Sequence, residues 1–157
     1  MWLLCLVWLP YKGVLEALEA LRLVRRRLRV AVVGNGPLRD SVRHLAESLD
    51  HSVSLFFKAP EEEKRRILAQ SVYLLLSTAE GFSISTLEAI ALGAYPIVLA
   101  NEYNAAVELI KSLECGTVVS SLKEAAEIIE SGEVPEPPTA PLFKYHIGSV
   151  VDLYETI

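Results

Sequence analysis

The sequence predicts a doubly wound α/β domain: six parallel strands separated by helices and joined by right-handed crossovers. Three observations predict it. The chain opens on nine apolar residues, Met1 to Leu9, ended by Pro10, the pattern of a strand buried on both faces of a parallel sheet. Short apolar segments then alternate with stretches of helical periodicity. Glycines and prolines fall between them as turn punctuation.

The elements follow in order. Residues 2 to 8 form the first strand, and Pro10-Tyr11-Lys12-Gly13 a turn. Val14, Leu15, Leu18 and Leu21 mark one face of a helix running to about Arg26. Arg29 to Val33 is the second strand, closed by Gly34-Asn35-Gly36-Pro37, with Pro37 suited to the first turn of a helix ending near Leu49. Val53 to Phe57 is the third strand, and Pro60 opens a charged helix to Gln70. Val72 to Ser77 is the fourth strand, followed by a helix from Ser85 to Leu92 that Gly93 ends as a C-terminal cap. Pro96 to Leu99 is the fifth strand, with a helix around Asn104 to Ser112. Thr117 to Ser120 is the sixth, and Ser121 caps a helix from Leu122 to Ser131. Glu133 to Pro141, with four prolines, is an extended segment, and Phe143 to Ile157 a closing helix.

Bulk properties narrow the class. The 157 residues suit one domain, and 52% hydrophobic against 22% charged gives a sizeable core. The net charge of −5 argues against a nucleic-acid-binding surface. The basic group Arg22, Arg25, Arg26, Arg27 and Arg29 reads as the solvated last turn of a helix, where cations complement the dipole. The opening apolar run has no basic lead-in or small-residue cleavage site. It is also short of the about 20 residues that span a bilayer. A strand at the very first residue is what a domain cut from a longer chain, or one half of a two-part protein, would look like. Cys5 and Cys115 read as free thiols of a reducing compartment, and His44, His51 and His146 are too scattered for a metal site.

Ligands of such sheets bind outside the carboxyl ends of the strands, which selects the loops 9–13, 34–37, 58–60, 77–86 and 100–104. Gly34-Asn35-Gly36-Pro37 lacks the rest of a dinucleotide fingerprint, since residue 39 is Arg, and reads as a tight turn. No P-loop is found. Lys12 stands beside a helix N-terminus, wrong for the dipole but right if an anion sits there, shared with backbone N–H groups. Ser85 and Thr86 open a second anion-ready helix on the same edge, and Gly81 would let a phosphate approach closely. Together these could hold a diphosphate without a metal. Glu80 lies in the loop before that helix and Glu88 in about its first turn, where a carboxylate is favoured anyway. Two glutamates eight positions apart have little specificity by themselves.

Glu80-Gly81-Phe82, then Leu87-Glu88-Ala89, then Gly93 resembles the paired-glutamate segment, EGF…LEA…G, of retaining GT-B glycosyltransferases of glycosyltransferase family 4. Pro10-Tyr11-Lys12-Gly13 resembles that family's PxKG turn. Val32-Val33-Gly34-Asn35-Gly36-Pro37-Leu38 resembles its VGDGPL, Pro96-Ile97-Val98 its PVI, Cys115-Gly116-Thr117-Val118-Val119 its NGLLV, and Asp152-Leu153-Tyr154 its closing helix. Val53 to Phe57 is similar to the strand before its base-binding loop.

The resemblance runs through nearly the whole chain and implies a Rossmann-like, donor-binding half of a GT-B fold, residues 1–157 as one domain, without the acceptor-binding N-terminal domain. It implies that Lys12 neutralises the donor diphosphate, Glu80 contacts the donor sugar and Glu88 takes the ribose hydroxyls. Gly81, Phe82 and Ser83 would offer backbone N–H groups, Gly13 would line the phosphate turn, and Lys58-Ala59 would border the base. Lys12 and Glu80 carry the catalytic expectation. A nucleotide-diphosphate sugar is then the substrate, with no cofactor and no metal. An acceptor-binding domain or subunit is the expected partner. The expected location is cytoplasmic, with peripheral membrane association for the complete enzyme and no anchor in this chain.

Three departures stand out. Val7 occupies the position of an arginine usual five residues before Lys12, Ser83 stands where a glycine is common, and no glycine pair is obvious in Asn101-Glu102-Tyr103-Asn104. By analogy with a lost oxyanion donor, a missing arginine costs about 2.7–4 kcal/mol of leaving-group stabilisation. Binding is therefore better supported than catalysis. The alternatives are a catalytically weak binding or regulatory subunit and a GT-B-shaped sugar-nucleotide epimerase.

Overall fold

The fold was obtained as a computed structural model, which describes residues 2–6 (as backbone), 12–69, 71–79, 81 and 83–133. Six strands form one sheet: β1 Trp2–Leu6, β2 Arg29–Val33, β3 Ser52–Phe56, β4 Ser71–Leu75, β5 Tyr95–Leu99 and β6 Thr117–Val119. Their order is β3-β2-β1-β4-β5-β6 and every pairing is parallel. The helices are α1 Val14–Leu21, α2 Arg39–Glu47, α3 Glu61–Leu68, α4 Ile84–Ala91, α5 Ala105–Leu113 and α6 Leu122–Ser131. The predicted doubly wound architecture and all six strand positions hold. The expected extended segment and closing helix beyond residue 133 lie outside the described residues, as does Gln70.

The order places the topological switch between β1 and β4, since the chain winds outward through β2 and β3 and then returns to β4. Alternation along the strands gives each face its own core. Val30, Val32, Val72, Leu74, Leu76 and Ile97 pack with α1, α2 and α6 on one face. Ala31, Val33, Tyr73, Leu75 and Val98 pack with α3, α4 and α5 on the other. β4 is buried along its whole length. This explains its apolar run, because a central strand in a covered parallel sheet has no polar face.

Several boundaries differ from expectation. α1 stops at Leu21 rather than near Arg26. The arginines therefore do not make the last turn of a helix. Arg22 is the C-cap of α1, Arg29 opens β2, and Arg25, Arg26 and Arg27 lie in the connection between them, where the backbone N–H groups of Arg25 and Arg26 donate to the Glu130 carboxylate at 2.8 and 3.2 Å. Arg27 pairs with Asp50 at 2.8 Å. α2 begins at Arg39, with Leu38 as its N-cap, so Pro37 precedes the helix instead of occupying its first turn. Other expectations are met closely. Gly93 has φ 84° just beyond α4. Ser121 caps α6 by accepting from the Glu124 N–H at 3.2 Å. Cys115 is a buried free thiol.

Candidate functional site

The site is organised where α1 meets the end of β4. Gly13 is the N-cap of α1 and adopts a left-handed conformation, φ 71°. A Cβ there would lie 2.0 Å from the Leu76 carbonyl oxygen and 2.8 Å from the Ser77 nitrogen. Only glycine satisfies both the backbone angle and the contact. The start of α1 is thereby seated on the carboxyl end of β4, across the β1/β4 switch point. Lys12, half-buried, directly precedes this cap.

The chain leaves β4 through a turn that fastens itself. Ser77 is fully buried; its hydroxyl donates to the Ala79 carbonyl at 2.8 Å and accepts from the Ala79 N–H at 3.3 Å. Gly81 follows, exposed, and a Cβ there would meet nothing within 4 Å, so its flank is open to a ligand. Ser83 is buried and is the N-cap of α4, but its hydroxyl is engaged with the Thr86 hydroxyl and makes no cap hydrogen bond. α4 thus starts at Ile84, and Ser85 and Thr86 lie inside it rather than opening it. Ser85 accepts a hydrogen bond from the Tyr73 hydroxyl at 3.0 Å, tying the helix to β4.

The helix starts differ in their capping. α5 is capped by Asn104, whose Oδ1 accepts from the Ala106 N–H, and α6 by Ser121. Gly13 and Ser83, the N-caps of α1 and α4, make no side-chain cap bond, as is also true of Leu38 at α2 and Pro60 at α3, so among the described residues the first N–H groups of α1 and α4 are open to another acceptor. An anion meets that need, and the dipole favours it.

The earlier start of α4 corrects the reading of Glu88. No acidic residue lies in the first turn of α4, and Glu88 is one turn further in, where the dipole gives little. Its partner is Lys64 on α3, whose Nζ lies 3.3 Å from Oε2 and also 3.7 Å from a carboxylate oxygen of Glu61. Lys64 was not legible as a site residue, because in Glu61-Glu62-Glu63-Lys64-Arg65-Arg66 it reads as one charge of a solvated helix. Its side chain is only 26% exposed.

Lys58 is exposed in the β3–α3 connection, at the far edge of the β3-β2-β1-β4 half of the sheet. Beside it, Arg39 stacks over the Phe57 ring at 4.0 Å. Glu80, Phe82 and Val7 lie outside the described residues. No cluster of ligating side chains able to hold a metal is found among the described residues.

A family model of glycosyl transferases, group 1, matches residues 7–132. The chain belongs to the glycosyl transferases group 1 family. No curated protein sequence matches it. Among solved structures, WaaG, a glycosyltransferase of lipopolysaccharide biosynthesis, shares 27% identity at TM-score 0.67, over 83% of this chain and 37% of that one. HepE of Anabaena, solved with UDP and glucose, has TM-score 0.75 at 18% identity, over 99% and 48%. The catalytic domain of cholesterol-alpha-glucosyltransferase from Helicobacter pylori has TM-score 0.71 at 18% identity, over 83% and 84%. The last two show the fold, the α/β half of a GT-B glycosyltransferase. The chain spans about half the length of HepE and less of WaaG.

Proposed function

We propose that this member of the glycosyl transferases group 1 family is the donor-binding half of a retaining enzyme of glycosyltransferase family 4, moving a sugar from a nucleoside-diphosphate donor to a glycan or lipid acceptor held by a separate domain. One observation carries the reading: Gly13 seats the uncapped start of α1 on the carboxyl end of β4, beside the loop to the uncapped start of α4. That arrangement suits a diphosphate. The family match and the UDP and glucose complex of HepE support it.

In this mechanism Lys12 and the two helix N-termini take the charge that develops on the leaving diphosphate, as fixed donors that need no reorganisation. No metal is required for that step. Glu88 accepts from the ribose hydroxyls, Glu80 faces the donor sugar, and Gly81, Phe82 and Ser83 supply backbone donors. Lys58 borders the base. Two unclustered cysteines suit a cytoplasmic enzyme. No helix among the described residues is long and apolar enough to cross a membrane.

Calorimetry with UDP, GDP and ADP tests this reading. Saturable binding of one of them, lost in Glu88→Ala, is expected; no binding by any nucleotide would sink it. Val7, where an arginine is usual, favours a second reading, a domain that binds the donor but turns it over weakly. Supplying an acceptor-binding domain separates the two, since the second predicts binding without transfer.

A further inference from the structure

The ion pair between α3 and α4 differs in kind from most of the others described. Arg65 with Glu61, Lys111 with Glu108 and Lys123 with Glu127 are neighbours on one helix. Lys64 and Glu88 stand on two helices, 24 residues apart, with Nζ 3.3 Å from Oε2. Lys64 is also less exposed than any of those three cations. The motif that carries Glu88 includes nothing from α3, so the sequence reading left Lys64 without a role.

Both helices are anchored beneath the pair. Ile67 and Leu68 of α3 and Ala89 and Ile90 of α4 belong to one buried core. The pair bridges two helices that this core already holds together. As a surface ion pair it contributes little to stability. Its value lies in the carboxylate it restrains. The Glu88 side chain is 47% exposed, and a free glutamate at the surface has many rotamers to lose when it binds a ligand. A cation on a neighbouring helix removes part of that loss beforehand.

Charge gives a second reason. Glu61, Glu62 and Glu63 crowd the first turn of α3, and a nucleoside diphosphate brings further negative charge towards Glu88. Lys64 offsets this, since its one ammonium serves the carboxylates of both Glu61 and Glu88. Resting on the donor-site reading, we propose that Lys64 is a positioning residue, through which Glu88 distinguishes a ribose from a deoxyribose. Lys64 does not touch the nucleotide; it orients and compensates the carboxylate that does. Two carboxylate oxygens offer about four lone-pair sites. Lys64 takes one, and the others remain, in a fixed orientation, for the two neighbouring hydroxyls of the ribose.

The test is calorimetric titration of the chain, of Lys64→Met, Lys64→Arg and Glu88→Gln, and of the double variant Lys64→Met with Glu88→Gln. The probes are UDP, GDP and ADP and their deoxyribose counterparts dUDP, dGDP and dADP. The pair is partly exposed, so every variant keeps the wild-type fold, read by melting temperature. The wild type is expected to prefer the ribonucleotide about tenfold, the scale of one hydrogen bond to a charged group. Lys64→Met should lower ribonucleotide affinity about tenfold and leave the deoxynucleotide within about threefold, so that the preference collapses. Lys64→Arg, which keeps the cation, should restore most of it. In the double variant Lys64→Met should add no loss to that of Glu88→Gln, because the two act through one contact. Equal loss for both kinds of nucleotide, no loss for either, or a full further loss in the double variant overturns the positioning role. So does a wild type that binds nucleotides without preferring the ribose. Each of those results leaves nucleotide binding itself in place. Failure of every nucleoside diphosphate to bind the wild type sinks the donor-site reading, and the role of Lys64 with it.

Discussion

Gly13 and Leu76 approach so closely that a single methyl group on Gly13 would sit 2.0 Å from the Leu76 carbonyl oxygen. The contact joins the start of α1 to the end of β4, and the candidate diphosphate site is built on it. Backbone meets backbone here, so no side chain can move aside to make room.

Gly13→Ala is therefore expected to cost about 2–6 kcal/mol, from a left-handed angle forced on alanine and from overpacking. Urea denaturation reads this as a lower midpoint or an unfolded product. A variant with wild-type stability would contradict the close approach.

Lys64 and Glu88 predict a split between stability and binding. The pair is partly exposed, and such pairs contribute about 0.2–1 kcal/mol to stability. Lys64→Met should shift the unfolding free energy by no more than that. Glu88→Gln should leave the fold equally intact but weaken nucleotide binding by about tenfold or more, the scale of a lost hydrogen bond to a charged group. Unchanged nucleotide affinity in Glu88→Gln would remove Glu88 from the site.

Cys115 is buried, and desolvation pushes its thiol above the ordinary value of 9.0. It should resist iodoacetamide in the native state and react on unfolding, read at its own peptide by mass spectrometry. The raised value also sets a sign. The contribution to stability is complete below the unfolded-state value and is lost as the pH climbs through it towards the folded-state value. Denaturation midpoints should fall on the alkaline side, and less so in Cys115→Ala.

Glu130 behaves oppositely. Hydrogen bonds from the backbone N–H groups of Arg26 and Arg25 hold its carboxyl below the ordinary 4.5. What it contributes is present above that value and fades as the pH falls through the lower, folded-state one. Carbon-13 titration of the side chain should show the depressed midpoint, and Arg25→Pro, which removes one donor, should raise it. A midpoint at the ordinary value would mean that the two bonds do not form in solution.

The strands and their order of appearance were legible because a sheet covered on both faces demands continuous apolar runs, as in β4 and β5. The capping residues Ser121 and Gly93 were legible because capping is local chemistry. The ends of α1 and α4 were less so. Leu21 to Arg26 carries enough helix-forming residues to continue a helix, but Glu130, more than a hundred residues away, claims the N–H groups of Arg25 and Arg26. Similarly, Glu88 fits a first turn until Ser83 and Thr86 bond to each other and the helix begins a residue earlier.

The sequence by itself determined the alternation of strand and helix, the family, and the turn-and-glutamate pattern from Lys12 to Glu88, because apolar periodicity and backbone-demanding residues act within a few positions. Tertiary structure alone decided that Gly13 is pressed against Leu76 and that Lys64 reaches Glu88. Those relations join segments separated by tens of residues, and only the packing of neighbouring strands and their helices brings such segments within a few ångströms.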